Sequence, residues 1–464
     1  MLLKELLEQR NMKELFLMLE KRKFPVPGIE SKSDVQKVRN AYFQRNELGE
    51  EYFLRHLDDF EAGNTILNED LSKYSKKDQK VIREYEEDLL NTGRLLREAR
   101  RRKGEWAGLI AASLLDPDAF RLFYLSLSSE PAAFLNQVCS GQIQPDVDGK
   151  WPLSVRREEK NIFLRCEETG YFTLIKIPPE KTEDEREKIT SVIIADDLLP
   201  LIRECITPDL EQEQVLRSLL RKIVDFSVSY YEIVPFSLLH KLYAQYQEQY
   251  PLQYPEMSLS AFEERIGPEI ERMSYDTFIY KGISYVANNV DPQVTDDATP
   301  EDNYCVDMIQ YAKRLPYDYY IPDTAEIDEY DKWYYWPSRE PFRKLRAFFE
   351  GFYLDEKSIE DMTSGMWNVL TADEVSRKSR YPMDLVDENV SERLSEAVMM
   401  LMSGQETEDI LHENQQIVLS IRESAKQEFI CLLAQCGDLA NQPRLLGHTP
   451  RHLREMGYDT DADE

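Results

Sequence analysis

The chain has 464 residues, with 57 Lys+Arg against 87 Asp+Glu and a formal net charge of −30. Residues 1–104 hold 22 Lys+Arg and 20 Asp+Glu, a net of +2, so the remainder holds 35 against 67, a net of −32. An acidic body of this kind repels phosphate backbones wherever no local basic face overrides it, which confines nucleic-acid binding to the first hundred residues.

Apolar residues make up 42% of the chain, with few Gly and Pro, a helix-leaning globular composition with length for roughly three domains. The predicted fold class is mainly α with small β-hairpins, in several domains. No apolar run reaches the roughly 18–20 residues of a membrane span, so no membrane association is expected. The opening MLLKELLEQRNMKELF is amphipathic and mixed in charge, which predicts a folded helix rather than a leader. Six dispersed cysteines, Cys139, Cys166, Cys205, Cys305, Cys431 and Cys436, read as reduced thiols of a cytoplasmic protein.

In residues 1–48, NMKELFLMLEKRK and ESKSDVQKVRNAYF are helical stretches separated by FPVPG. Leu15, Leu19, Val35, Val38 and Tyr42 are placed to form their contact, with Ser33 as the N-cap of the second. Helix, glycine-containing loop and Lys/Ser-rich helix start resemble the SAP or Rho amino-terminal type of module, over about a tenth of the chain. That resemblance implies nucleic-acid contact through Lys21, Arg22, Lys23, Lys32 and Lys37; the residues alone equally describe a helical hairpin that only packs. Residues 49–104 read as a helical connector ending in a dense basic run, Arg94, Arg97, Arg100, Arg101, Arg102 and Lys103. Cations suit a helix C-terminus, and Gly104 reads as its stop, so a solvated helix end competes with phosphate binding by Arg97, Arg100, Arg101, Arg102 and Lys103.

Residues 105–205 are expected to form a first winged-helix-like module. DPDAFRLFYLSL and SEPAAFLNQVCSG are its helices, and IFLRCEETGYFTLIKIP its two strands around Glu168-Thr169-Gly170. The charged PPEKTEDEREK is a connector, and DDLLPLIREC returns to helix. Residues 206–288 give a second module. Leu216, Leu219, Leu220 and Ile223, then Phe236, Leu239, Leu242 and Tyr246, then Phe262, Ile266, Ile270 and Met273 recur at helical spacing. Ser260 and Glu263 suggest a capping box, and Lys281-Gly282 a two-residue hairpin turn. Three helices followed by a hairpin resemble a winged helix. The third helix counts Glu263, Glu264, Glu269 and Glu271 as exposed against Arg265 and Arg272, a balance hostile to DNA.

Residues 289–341 form an acidic, aromatic-rich irregular segment, in which Trp333, Tyr334 and Trp336 are candidate partner contacts or a layer folded onto a core. Residues 342–456 are a helical C-terminal domain, and residues 457–464 a disordered tail. Its close, NQPRLLGHTPRHLREM, resembles a short closing motif of uncharacterised Gram-positive bacterial proteins through Arg444, Gly447, His448, Thr449, Pro450 and Leu453. Some of those carry an adjacent SEC-C zinc motif, whose Cys-x-Cys run is missing here. Thr449 is the expected cap and Pro450 the first residue of a last helix, which leaves His448 outside it and apart from His452.

No phosphate-binding glycine loop, nucleophile elbow or clustered metal-ligand spacing occurs, so no catalytic, cofactor-binding or metal residue is assigned. The expected function is a non-catalytic adaptor or regulator working through protein contacts. Three alternatives stand beside it: a nucleic-acid-binding regulator through residues 1–104, an acidic mimic of DNA, and an enzyme whose carboxylate site assembles only in three dimensions.

Overall fold

A computed structural model of the protein describes residues 1–21, 29, 31–48, 101–153, 160–177, 188–288, 294–301, 303–330, 339–353, 382–415 and 422–458. The protein is mainly helical, with two small three-stranded antiparallel sheets. The chain divides into two compact units, Met1–Lys176 with Ile189–Glu211, and Ile177–Lys188 with Gln212–Glu464.

The first unit opens with helices Leu3–Glu8, Met12–Lys21 and Lys32–Leu48. Leu15, Leu19, Val35 and Val38 are buried together, as their spacing predicts. The cap of the third helix is Ser31 rather than Ser33: its Oγ accepts from Asp34 N at 3.1 Å while Asp34 Oδ2 accepts from Ser31 N at 3.1 Å.

Gly104 does not stop a helix. It lies in the first turn of helix Lys103–Leu114, whose apolar stripe Trp106, Ala107, Ile110, Ala111 and Leu114 is buried. Glu105 Oε2 accepts from Arg102 N at 2.5 Å and fixes that start. The basic run therefore reaches a helix N-terminus, where the macrodipole disfavours cations.

Helices Pro117–Ser126 and Ser129–Ser140 form as predicted. IFLRCEETG, expected as a strand, is instead helix Lys160–Thr169, because Phe163 and Cys166 face one buried side three residues apart. The sheet is built from β1 (Lys150–Pro152), β2 (Thr173–Ile177) and β3 (Lys188–Ile193) in the order β1-β3-β2, Trp151 lying opposite Val192.

In the second unit, helix Pro208–Tyr231 leads into β4 (Ile233–Pro235), helices Phe236–Gln249 and Leu259–Arg272, then β5 (Asp276–Tyr280) and β6 (Ile283–Ala287). The sheet order is β4-β6-β5, so the hairpin gains a third strand that the sequence did not announce. Phe262, Ile266 and Ile270 are fully buried, and the helix runs through Pro268. Its cap is Ser258, whose Oγ accepts from Ala261 N at 3.3 Å, two residues before the expected Ser260. Lys281 and Gly282 both take positive φ, 50° and 76°, as a tight hairpin turn between twisted strands requires.

The aromatic-rich segment is more regular than its composition suggests, containing helices Tyr304–Arg314 and Thr324–Tyr330. Helices Glu340–Tyr353, Pro382–Met402, Thr407–Glu413 and Glu423–Gly437 follow, with a core that includes Phe342, Phe349, Leu394, Phe429 and Leu433. Helix Glu340–Tyr353 passes Gly351 without stopping. A last short helix, Pro450–Glu455, starts at the predicted cap, Thr449 Oγ1 accepting from His452 N at 3.0 Å. Among the described residues no helix is long and apolar enough to cross a membrane.

Candidate functional site

Helix Leu259–Arg272 and the closing motif are two places in the second unit where described polar side chains form networks. On the helix, Glu269 is not exposed, as its glutamate-rich surroundings suggest, but 1% exposed. Three guanidinium groups hold its carboxylate: Arg221 Nη1 at 2.8 Å, Arg272 Nη1 at 2.7 Å and Arg217 Nη1 at 3.3 Å. Glu213 pairs with Arg217 and Arg265. Burial lowers the pKa of Arg221, while the hydrogen bond and charge of Glu269 oppose that shift.

The network consumes cations internally. Arg265 and Arg272, the two cations of the helix, are both bonded to carboxylates, while Glu264 and Glu271 project into solvent beside Pro268 and Ala261. The solvent face of this helix is consequently acidic.

The closing motif is a packing hub. Leu446 O accepts from Tyr320 N at 3.0 Å, and Tyr231 Oη donates to Tyr320 O at 2.7 Å. Gly447, at φ 81°, lies so close to helix Pro208–Tyr231 that a Cβ there would stand 2.4 Å from Tyr231 Cε1. His448 is 4% exposed, with Nε2 3.0 Å from Asp318 O. That contact requires a proton on Nε2, which leaves Nδ1 as an acceptor facing His452 Nδ1 at 3.1 Å. Pro450 therefore does not separate the two histidines: His448 precedes the cap and folds back over the first turn. Burial lowers the His448 pKa; the Asp318 carbonyl opposes this and the neighbouring His452 adds to it.

The expected nucleic-acid residues do not assemble into a described site. Lys21 ends helix Met12–Lys21, Lys32 begins Lys32–Leu48, and Lys37 is exposed on the latter. Arg22, Lys23, Arg97 and Arg100 lie outside the described residues, as do Trp333, Tyr334 and Trp336. Arg101 sits over the Trp106 ring at 6.0 Å, Arg102 is exposed, and Lys103 is half-buried at the helix start.

Described residues line cavities in each unit. One, of about 600 Å³, is lined by residues that include Arg444, Gln442, Arg451, Arg454, Glu406 and Glu408. Another, of about 440 Å³ in the first unit, surrounds Glu167, which pairs with Arg10 and Lys176, each at 3.1 Å. Among the described residues no three His, Cys, Asp or Glu side chains converge as a metal site. No family model matches the chain, nor does any curated protein or solved structure.

Sequence reasoning missed the arginine cage because Arg217 and Arg221 lie about fifty positions before Glu269. The only local signal was Arg272, three residues on, at the spacing of helical neighbours.

Proposed function

We propose that this chain is a non-catalytic adaptor or regulator whose second unit contacts protein through the solvent face of helix Leu259–Arg272. The reading rests on one observation: the arginines around that helix are tied to buried Glu269 and to Glu213, so that Arg265, though exposed, is paired with a carboxylate while Glu264 and Glu271 stand exposed beside it. Duplex binding needs neutralised phosphates, and each uncompensated carboxylate works against it. The element order helix, strand, helix, helix, hairpin is winged-helix-like, and on this reading the module uses its third helix for a protein surface. A basic or polar partner suits that face.

The competing assignment, a nucleic-acid regulator acting through residues 1–104, is tested with the same full chain. Anisotropy of fluorescent duplex DNA and single-stranded RNA is measured at low and moderate salt. The proposal expects no binding; binding that weakens steeply with salt overturns it.

A further inference from the structure

The sheet of the second unit ends on an open strand. In the order β4-β6-β5 the fold treats the two outer strands differently. On β4, Ile233 and Val234 are buried, at 4% and 0% exposure, and helix Tyr304–Arg314 packs on the strand. On β5, Asp276, Thr277 and Ile279 are exposed, Ile279 at 64%.

The hairpin register shows which backbone groups of β5 are unused. Tyr280 faces Ile283 across the two-residue turn, so these two exchange hydrogen bonds, as do Phe278 with Tyr285 and Asp276 with Ala287. The N–H and C=O of Thr277 and Ile279 therefore point away from β6, and among the described residues no other backbone group bonds to them. Natural edges are blunted by lysine, proline or a bulge. Thr277 and Ile279 are instead β-branched residues that favour a strand, and the ladder with β6 runs unbulged from Asp276 to Tyr280.

The strand is also complementary to itself. Side chains of Thr277 and Ile279 share one face, and those of Asp276, Phe278 and Tyr280 the other. When two copies of β5 run antiparallel about a two-fold axis at Phe278, Thr277 of each faces Ile279 of the other. This is the one antiparallel register that pairs both outward residues of each copy with outward residues of the other. Asp276 of each then lies opposite Tyr280 of the other, and the Nζ atoms of Lys281 and Lys313 stand 4.9 and 5.9 Å from the centre of that ring. Each end of the shared ladder thus sets a carboxylate beside two cations.

We propose that the protein forms a two-fold homodimer in which the β5 strands of two copies join their sheets edge to edge in this register. The surface shares no residue with helix Leu259–Arg272, and the proposal does not rest on the adaptor reading. A five-residue strand buries less than a standard interface, so the dimer is weak, with a dissociation constant on the order of ten micromolar.

Sedimentation equilibrium of the full chain, from about 1 to about 100 μM, should show the average mass rising from that of one chain toward that of two. Ile279→Pro removes an outward N–H and no bond to β6, a change that an edge position tolerates, and should weaken association at least about tenfold. Crosslinking tests the register. In a Cys431→Ser background, which removes the exposed native thiol, Thr277→Cys and Ile279→Cys chains are oxidised separately and as a mixture. Facing residues of a bonded pair lie about 5.5 Å apart, within disulfide reach, so the mixture should crosslink at least about fivefold faster than either chain alone. Both positions are exposed, so this pattern decides the matter even where Ile279→Pro fails to fold. A single-chain mass at about 100 μM, unchanged association in folded Ile279→Pro, or equal crosslinking in the mixture and the separate chains overturns the proposal.

Discussion

Replacing Glu269 by glutamine removes the one carboxylate that three arginines share inside the second unit. The side chain is 1% exposed, while those of Arg217, Arg221 and Arg272 are 23%, 15% and 18% exposed. None of the three can turn wholly into water, and Glu213 can compensate only Arg217, which it already contacts. Breaking a buried ion pair from one side costs about 3–5 kcal/mol, and the residual exposure of the guanidiniums places this case near 3 kcal/mol. For a unit of this size each kcal/mol moves the midpoint by about 2–4 °C, so calorimetry should show the transition of the second unit falling by at least about 6 °C. The double variant Glu269→Gln/Arg272→Gln should lose less than the sum of the single losses, because the second change relieves the uncompensated charge that the first creates. A shift under 1 °C in Glu269→Gln, or strict additivity in the cycle, would refute the claim that the carboxylate organises these cations.

Gly447→Ala should be among the most damaging single changes, at about 3 kcal/mol or more, since the added methyl meets the Tyr231 ring in a backbone conformation that L-residues avoid; urea denaturation checks it. The depressed His448 pKa makes stability depend on pH in a fixed direction. The unfolded ring titrates near 6.5, so its contribution is complete above about pH 6.5 and is lost as pH falls through the lower folded value. Urea midpoints at pH 7.5 and 5.5 should differ more in the wild type than in His448→Phe. Tyr319 and Tyr330 are held unionised by burial, each with its pKa raised to about 12, so absorbance titration should show both resisting ionisation near pH 10.

The parts of the fold legible in the sequence are those whose determinants lie close together in the chain. Phe262, Ile266 and Ile270 marked one helix face, Lys281-Gly282 marked the turn, and Thr449-Pro450 marked the last helix start; each is where it was expected. Failures came where local patterns are ambiguous or partners are distant. The segment of Phe163 and Cys166 has an apolar run short enough to pass for a strand. The three residues of β4 carry no periodicity, and their role exists only through pairing with β6. Helix Lys103–Leu114 was hidden by the basic run before it and by Gly104, whose position reads as a stop. At the candidate sites residue types are legible in the chain without their pairing. Glu269 looked like one more surface glutamate, and His448 and His452 looked separated by proline.

The central claim, that the acidic face of helix Leu259–Arg272 meets protein, is tested most directly by photo-crosslinking from that face. A photoreactive residue is introduced at position 264 of the full chain, in the cell that makes it, with the same residue at exposed Asp148 as a control. The account predicts discrete protein adducts from position 264 that are absent from position 148 and disappear when Glu271→Lys is added. Adducts to nucleic acid from position 264, or a pattern indistinguishable from the control, would contradict it.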